Sequence, residues 1–295
     1  MKIIDGKAIA AELRAELKEK IDLLERKPGL AVVIVGEDPA SKIYVRNKVK
    51  ACTELGIRSY TYELSETSTQ EEVESLLDKL GTQEEVDGIL LQLPLPRHLN
   101  AEAACAHIPV EKDVDGFSAY NLGLLMRNRA EIVACTPLGV MKLLQREGIC
   151  LEGKHAVVLG RSETVGKPMA MLLLNANATV TVCHSRTKDL KAICREADIL
   201  VSAVGIAKFV TRDMVKEGAV VVDVGMNRDE NGKLCGDVDF ENVKDITSHI
   251  TPVPGGVGPM TVIMLMKNVV QVYLNRGGKK RLDKPESRDT IRHKR

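Results

Sequence analysis

The stretch VVLGRSETVGKPMAMLL, residues 157–173, constrains the fold of this chain more than any other. An apolar, β-branched run enters Gly160, a tight turn follows, and a helical pattern opens near Thr164. A buried strand turning sharply into a helix is the start of a βαβ unit, and such units build parallel sheets covered by helices. The spacing Gly160-x-Ser162-x-x-Val165-Gly166 follows the GxGxxG pattern with serine in the second glycine position. Gly160 permits the tight turn, Ser162 is small and adds a hydroxyl donor, and Gly166 lets the helix pack closely on the strand. The helix N-terminus is then free to face a pyrophosphate. Alone, so degraded a pattern fits a small-residue structural turn equally well.

The surrounding pattern extends this turn into a domain. HAVVLG (155–160), TVTVCHS (179–185), ADILVSAVG (197–205) and AVVVDVGMN (219–227) read as strands, with a helix over 164–176 after the first. Four strands with short crossovers form a Rossmann-like unit. The first half alternates in the same way. An amphipathic helix spans 7–26, and LAVVIVGE (30–37), SYTYEL (59–64) and GILLQLPL (88–95) are strands. Asp38-Pro39 opens a helix that Gly56 closes, and Ser68 with Glu71 forms a capping box for EEVESLLDKL. Thr136-Pro137 caps a connector helix, PLGVMKLLQREG, and a last apolar helix runs over 262–275. The expected architecture is α/β. Two βα-alternating domains, 1–137 and 138–261, flank a cleft, helix 262–276 returns to the first, and 277–295 forms a tail.

The second strand of the Rossmann-like unit bears on the cofactor. An NAD-binding chain places Asp or Glu about 20 residues beyond the glycine turn to take the ribose hydroxyls. Here Cys183-His184-Ser185-Arg186-Thr187 stands instead, so no carboxylate repels a 2′-phosphate. Arg161, Ser185 and Arg186 offer charge-assisted hydrogen bonds to that phosphate, which favours NADP over NAD. The alternative for the two arginines is a solvated loop.

Composition excludes several classes. At 295 residues the chain is comfortable for two domains, and its formal charge of +1 supplies no global field for nucleic acid or a membrane surface. The exception is Gly277–Arg295, with eight Lys/Arg against three Asp/Glu, read as a solvated, disordered tail. The N-terminus lacks the apolar core of a secretory signal, and no window is expected to reach the apolar length that crosses a bilayer. Seven scattered cysteines without a CxxC pair read as reduced thiols of a cytoplasmic protein, and six histidines without HxxxH spacing give no metal site.

Four short stretches in the remainder carry possible chemistry. In SKIYVRNK (41–48) Tyr44 and Lys48 are four apart and share a helix face, while Arg46 lies about 200° around from Tyr44. GILLQLPLP puts Gln92 near the end of a buried strand, where α/β folds bind ligands. KDVDGF carries Asp113 and Asp115 beside a glycine turn. PVPGGVGPMT (252–261) is dense in Gly and Pro just before a helix. Singly, each has a structural explanation: a wet helix face, a hydrogen-bonded loop anchor, an Asx turn and a rigid turn.

Together, GEDPASKIYVRNK, QLPLP, KDVDGF, GRSETVGKP and TPVPGGVGPMT, in this order, resemble the bifunctional methylenetetrahydrofolate dehydrogenase/cyclohydrolase family. The resemblance runs from about Ile3 to Asn275. It implies NADP-dependent oxidation of 5,10-methylenetetrahydrofolate to the methenyl form, then hydrolysis to 10-formyltetrahydrofolate in the same cleft, a step of one-carbon metabolism. By the same resemblance Lys48 is the catalytic lysine, Tyr44 packs against the folate, Gln92 tunes the lysine and Asp115 reads the pterin. Gly160, Arg161, Ser162, Val165, Gly166, Ser185, Arg186 and the backbone near Met226 are implied for NADP. Leu93 and the loop through Pro254, Gly255 and Gly256 are implied to line the folate cleft. Family members are usually homodimers that meet through the cofactor domain.

The chemistry suits these residue types. Hydride departure is pushed by a nitrogen lone pair and needs orientation more than a base. Water attack on the resulting cation, with ring opening, needs proton transfers, which a lysine desolvated beside a cation can manage. Three other readings stay open on the sequence. One is a dehydrogenase without effective cyclohydrolase, another a non-catalytic nucleotide sensor, and the third an unrelated NADP dehydrogenase for a small hydroxy or keto acid. An intact Tyr44, Lys48 and Gln92 argues against the first two, and the third explains neither KDVDGF nor the GGVGP loop.

Overall fold

A computed structural model describes residues 1–279, so most of the basic tail lies outside the described residues. Strand β1 (Lys2–Ile3) leads into helix α1 (Gly6–Asp22), capped by the Asp5 carboxylate, which accepts from Ala8 N. Strand β2 (Gly29–Val35) has every residue buried, as a run of Leu, Ala, Val and Ile covered on both faces must. Helix α2 (Pro39–Leu55) starts as expected: Asp38 caps it, accepting from Ser41 N at 2.7 Å, and Pro39 sits where no N–H is needed. It ends at Gly56, whose φ of +78° is the left-handed cap that glycine adopts without penalty. Strand β3 (Arg58–Leu64), α3 (Gln70–Thr82), β4 (Gly88–Leu91), α4 (Ala101–Ala106), α5 (Ala119–Met126) and α6 (Cys135–Arg146) complete this half.

The capping box lies one residue later than the sequence suggested. Thr69, not Ser68, caps α3, and it pairs with Glu72 rather than Glu71. Ser68 is buried, with its carbonyl bonded to His98 Nε2, so it is committed to the loop instead. Helix α6 opens at Cys135, which puts Thr136 inside the first turn, where its hydroxyl meets that of Thr261 at 3.0 Å.

The second half runs through β5 (His155–Leu159), α7 (Gly166–Asn175), β6 (Thr179–Cys183), α8 (Leu190–Cys194), β7 (Ile199–Ser202) and β8 (Val220–Asp223). A small hairpin, β9 (Asn227–Arg228) with β10 (Leu234–Cys235), precedes α9 (Phe240–Val243), β11 (His249–Ile250) and α10 (Val257–Asn275). Strands β3-β2-β4 form one parallel sheet, and a six-stranded parallel sheet has the order β1-β11-β8-β7-β5-β6. Two residues were beyond a pattern search. The first strand, only Lys2–Ile3, pairs with β11 in the larger sheet, so the N-terminus belongs to the sheet built by the far end of the chain.

Helix α10 begins five residues before the position expected for it, at Val257, and packs on α1, α2 and α6. By length and composition its 19 residues reach what a bilayer span needs, contrary to the expectation that no window would. Its surroundings explain the composition. Met260, Ile263, Leu265, Met266 and Val269 are all essentially sealed from water in the main core, and burying each such side chain contributes about 1.5–3 kcal/mol. Close approach to α6 is possible because Gly139 has no side chain; a Cβ there would stand 2.9 Å from that of Met260.

Candidate active site

Helix α2 fixes the first two groups. Its inward face carries Val45, Ala51, Cys52 and Leu55 into the core, so Tyr44 and Lys48 are held at the margin of that face. Tyr44 is 39% exposed, Lys48 is half-buried, and Arg46 faces solvent. The Lys48 ammonium donates to Gln92 Oε1 at 2.9 Å. Gln92 is the first residue beyond β4, and its backbone N–H still extends the ladder to Val33 O at 2.8 Å. Its side-chain amide nitrogen donates to Leu93 O at 2.6 Å, which turns the oxygen toward the lysine. Both polar atoms of this buried glutamine are thus bonded, and one of the bonds defines where the ammonium sits.

The two aspartates of KDVDGF divide their roles. Asp113 is buried and accepts from Gly116 N, Ser118 N and Asn121 Nδ2, all within 2.9 Å, which makes it the anchor of the turn. Asp115 is left to the cleft. Burial pushes its carboxyl up to about 6; the Lys48 charge pulls the other way and Asp113 adds to the rise. Gly116 has φ +73°, and a Cβ on it would lie 2.8 Å from Ala134 N, so the turn admits glycine alone. Beneath the loop, Asn268 of α10 donates to both Val114 O and Val133 O at 2.9 Å, tying the Asp115 segment to the start of α6.

Pro254, Gly255 and Gly256 form a tight shelf at the start of α10. Lys7 N donates to Gly255 O at 3.0 Å, and a Cβ on Gly6 would stand 1.9 Å from Gly256 O. The beginning of α1 is therefore packed directly on this loop. The bonds Leu93–Pro94 and Val253–Pro254 are both cis. Met226, half-exposed after β8, meets Tyr44 Oη through its sulfur at 3.6 Å and comes near Gly258. Helix α2 and the loop after β8 thus touch across the cleft.

On the other wall, Gly160 has φ +112°, and a Cβ there would meet Ala203 O at 2.4 Å; Gly166 packs equally close to Gly160 O. Ser162 has a structural part beside the donor role expected of it, since its O–H remains available to donate. Its hydroxyl accepts from the backbone N–H of Val165 and Gly166, at 3.2 and 3.3 Å, so it caps α7, which starts at Gly166 rather than Thr164. Gly160 N donates to Cys183 O at 2.9 Å, which sets the turn beside the Ser185–Arg186 loop. Arg161, Ser185 and Arg186 are all exposed there. A backbone cradle without room for side chains, the N-terminus of a ten-residue helix and two guanidiniums with no partner among the described residues suit a dinucleotide with a 2′-phosphate.

Sequence reasoning missed the side chain of Met226 as a contact of Tyr44, because nothing local pairs residues 182 positions apart. It also missed Asn268 and two buried carboxylates, Asp223 at the end of β8 and Asp237 just after β10. Two buried aspartates in the unremarkable runs VVVDVG and CGDVDF were the available signal. All seven cysteines are free, and among the described residues no cluster of His, Cys, Asp and Glu has the makings of a metal site.

Comparison with known proteins bears on this geometry. Residues 4–115 match the model of the tetrahydrofolate dehydrogenase/cyclohydrolase catalytic domain, and 134–276 that of the corresponding NAD(P)-binding domain. The bifunctional protein FolD of Caldicellulosiruptor saccharolyticus is 56% identical over 277 residues, 92% of this chain and 99% of that one. The crystal structure of the FolD methylenetetrahydrofolate dehydrogenase/cyclohydrolase of Campylobacter jejuni superposes with a TM-score of 0.92 at 51% identity, covering 94% of this chain and 99% of its own. The Trypanosoma brucei enzyme, complexed with NADP and an inhibitor, gives a TM-score of 0.89 at 42% identity, with 93% and 98% covered.

Proposed function

The chain belongs to the tetrahydrofolate dehydrogenase/cyclohydrolase family, and from that premise we propose how its cleft divides the work. It is a bifunctional enzyme that oxidises 5,10-methylenetetrahydrofolate with NADP to the methenyl cation and hydrolyses the cation to 10-formyltetrahydrofolate. NADP, when bound, would supply the hydride acceptor; Gly160, Ser162, Val165 and Gly166 would hold its pyrophosphate, Arg161, Ser185 and Arg186 its 2′-phosphate, and the backbone near Met226 would complete the site.

The observation that carries the assignment of roles is the Lys48–Gln92 hydrogen bond in a cleft shared with Asp115. Asp115, when ionised, accepts from the N–H groups of the pterin, and Tyr44 packs on its ring. Leu93, Pro254, Gly255 and Gly256 close the folate side. In the oxidation these residues orient the methylene carbon and exclude water. In the hydrolysis water adds to the methenyl carbon and loses a proton, then the tetrahedral adduct opens by breaking one carbon–nitrogen bond and that nitrogen gains a proton. Lys48 as the amine takes the proton that water loses and as the ammonium returns one to the departing nitrogen, with Gln92 Oε1 holding Nζ in line. The test is a spectrophotometric assay that follows methenyl formation and decay from methylenetetrahydrofolate with NADP or NAD. Methenyl that accumulates without decaying would remove the cyclohydrolase role.

A homodimer through the cofactor domain, in the cytoplasm, belongs to the same proposal. Among the described residues strand β6 is an edge of the larger sheet, with Val182 39% exposed, and Leu174 of α7 is 51% exposed. Sedimentation equilibrium checks it; a monomer at micromolar concentration would refute it.

A further inference from the structure

We propose that Asp237 is a positioning residue for the oxidation and not for the hydrolysis: its buried carboxylate sets the two loops that receive the nicotinamide end of NADP. The proposal rests on the functional reading above.

Asp237 is fully buried, and five donors converge on it. Oδ2 accepts from Ser202 Oγ at 3.1 Å, Val204 N at 2.7 Å and Gly205 N at 3.3 Å. Oδ1 accepts from Ile206 N at 3.1 Å and Asn227 Nδ2 at 2.9 Å. Three of the five are consecutive backbone amides, so the loop after β7 is folded around the charge as an anion nest. The Asn227 bond reaches the loop after β8, the one that carries Met226 against Tyr44. One carboxylate therefore fixes two loops at the carboxyl ends of adjacent parallel strands, where ligands of such sheets bind.

The packing leaves the group little freedom. A Cβ on Gly225 would stand 2.1 Å from Asp237 Oδ1, so the Met226 loop presses directly on the carboxylate. A second buried carboxylate, Asp223, accepts from Gly225 N, Asp237 N and Val238 N and holds the backbone that presents Asp237. The β9–β10 hairpin is the strap that returns the chain from Met226 to this point. None of these bonds involves Lys48, Gln92 or Asp115, which rest on α2, β4 and the turn before α5. A buried carboxylate that anchors the nucleotide wall, and reaches the folate wall only through the Met226–Tyr44 contact, should uncouple the two activities.

The test compares the wild-type enzyme with Asp237→Asn and Asn227→Ala. NADPH affinity is measured by calorimetry, oxidation with methylenetetrahydrofolate, and hydrolysis with methenyltetrahydrofolate in the absence of nucleotide. Asp237→Asn turns an acceptor into a partial donor among five donors. It should weaken NADPH binding and lower kcat/KM for oxidation about tenfold or more, with hydrolysis within about twofold of wild type. Asn227→Ala keeps the carboxylate and should shift NADPH affinity and oxidation in the same direction by less. Parallel loss of both activities in Asp237→Asn would make the residue structural and overturn the proposal, as would unchanged NADPH affinity in Asn227→Ala should Asp237→Asn fail to fold. Wild-type enzyme without hydrolysis would instead break the functional reading, a distinguishable result.

Discussion

The two walls of the cleft hold their working groups by opposite means. On the folate wall the groups are side chains, Tyr44 and Lys48 from one helix face, Gln92 from the end of β4 and Asp115 from the turn before α5, and the direct bond among them is the one from Lys48 to Gln92. On the nucleotide wall the groups are mainly backbone amides and glycines, held by capping at Ser162 and by the buried carboxylates Asp223 and Asp237. The difference follows from the tasks. Binding and turning over a charged substrate needs side chains left free to meet it, so the folate wall leaves the Asp115 carboxyl without a hydrogen-bond donor among the described residues, and burial raises its pKa. Binding a pyrophosphate needs fixed dipoles, which oriented backbone supplies without titrating.

Substitutions on each wall should therefore separate. The largest effect is expected for Lys48→Met, which should cut hydrolysis about 10³-fold and reduce oxidation far less. A variant with unimpaired hydrolysis would break the assignment of that wall. Asp115→Ala should act on both reactions through folate binding, raising the folate KM about 10- to 100-fold; unchanged folate affinity would exclude the pterin contact. Arg161→Ala on the opposite wall should raise the KM for NADP about tenfold and leave that for NAD nearly alone, since only NADP carries the 2′-phosphate. Equal shifts would take Arg161 out of that site.

A smaller effect tests the electrostatics. Because the Asp115 carboxyl is pushed up to about 6, the ionised acceptor is present only above that pH, and the folate KM should rise as pH falls through 6. Asp115→Asn should flatten the profile. For stability the sign is reversed from that of an ion-paired carboxylate. Between the ordinary aspartate range and about 6 the folded chain holds a proton that the unfolded chain has lost, so this group's contribution weakens as pH rises through that window. Arg46→Ala should do least, leaving both rates within about twofold, since Arg46 faces solvent on the far side of α2.

How much could be read beforehand differs between the walls as well. Tyr44 and Lys48 are legible because α-helical geometry is local: residues four apart share a face whatever the rest of the chain does. The Gly160 turn is legible for a similar reason, since only glycine tolerates both its φ and its approach to Ala203 O. The caps were harder to place. Thr69 and Ser68 are adjacent hydroxyls, and burial of Ser68 in the loop, bonded to His98, decides which one serves α3. Ser162 was read only as a donor to a ligand, and its second use, accepting from the two amides that open α7, depends on where that helix starts.

The sequence by itself determined the α/β class, the strand–turn–helix of the nucleotide wall, the α2 face and the absence of a carboxylate after β6. Each depends on residues within a few positions of one another, so periodicity and steric rules suffice. Only the tertiary structure decided that Lys2–Ile3 completes the larger sheet, that Met226 meets Tyr44 and that Asp237 binds two loops at once. These are long-range pairings, whose partners are selected by the packing of whole sheets and helices, and no local pattern along the chain encodes them.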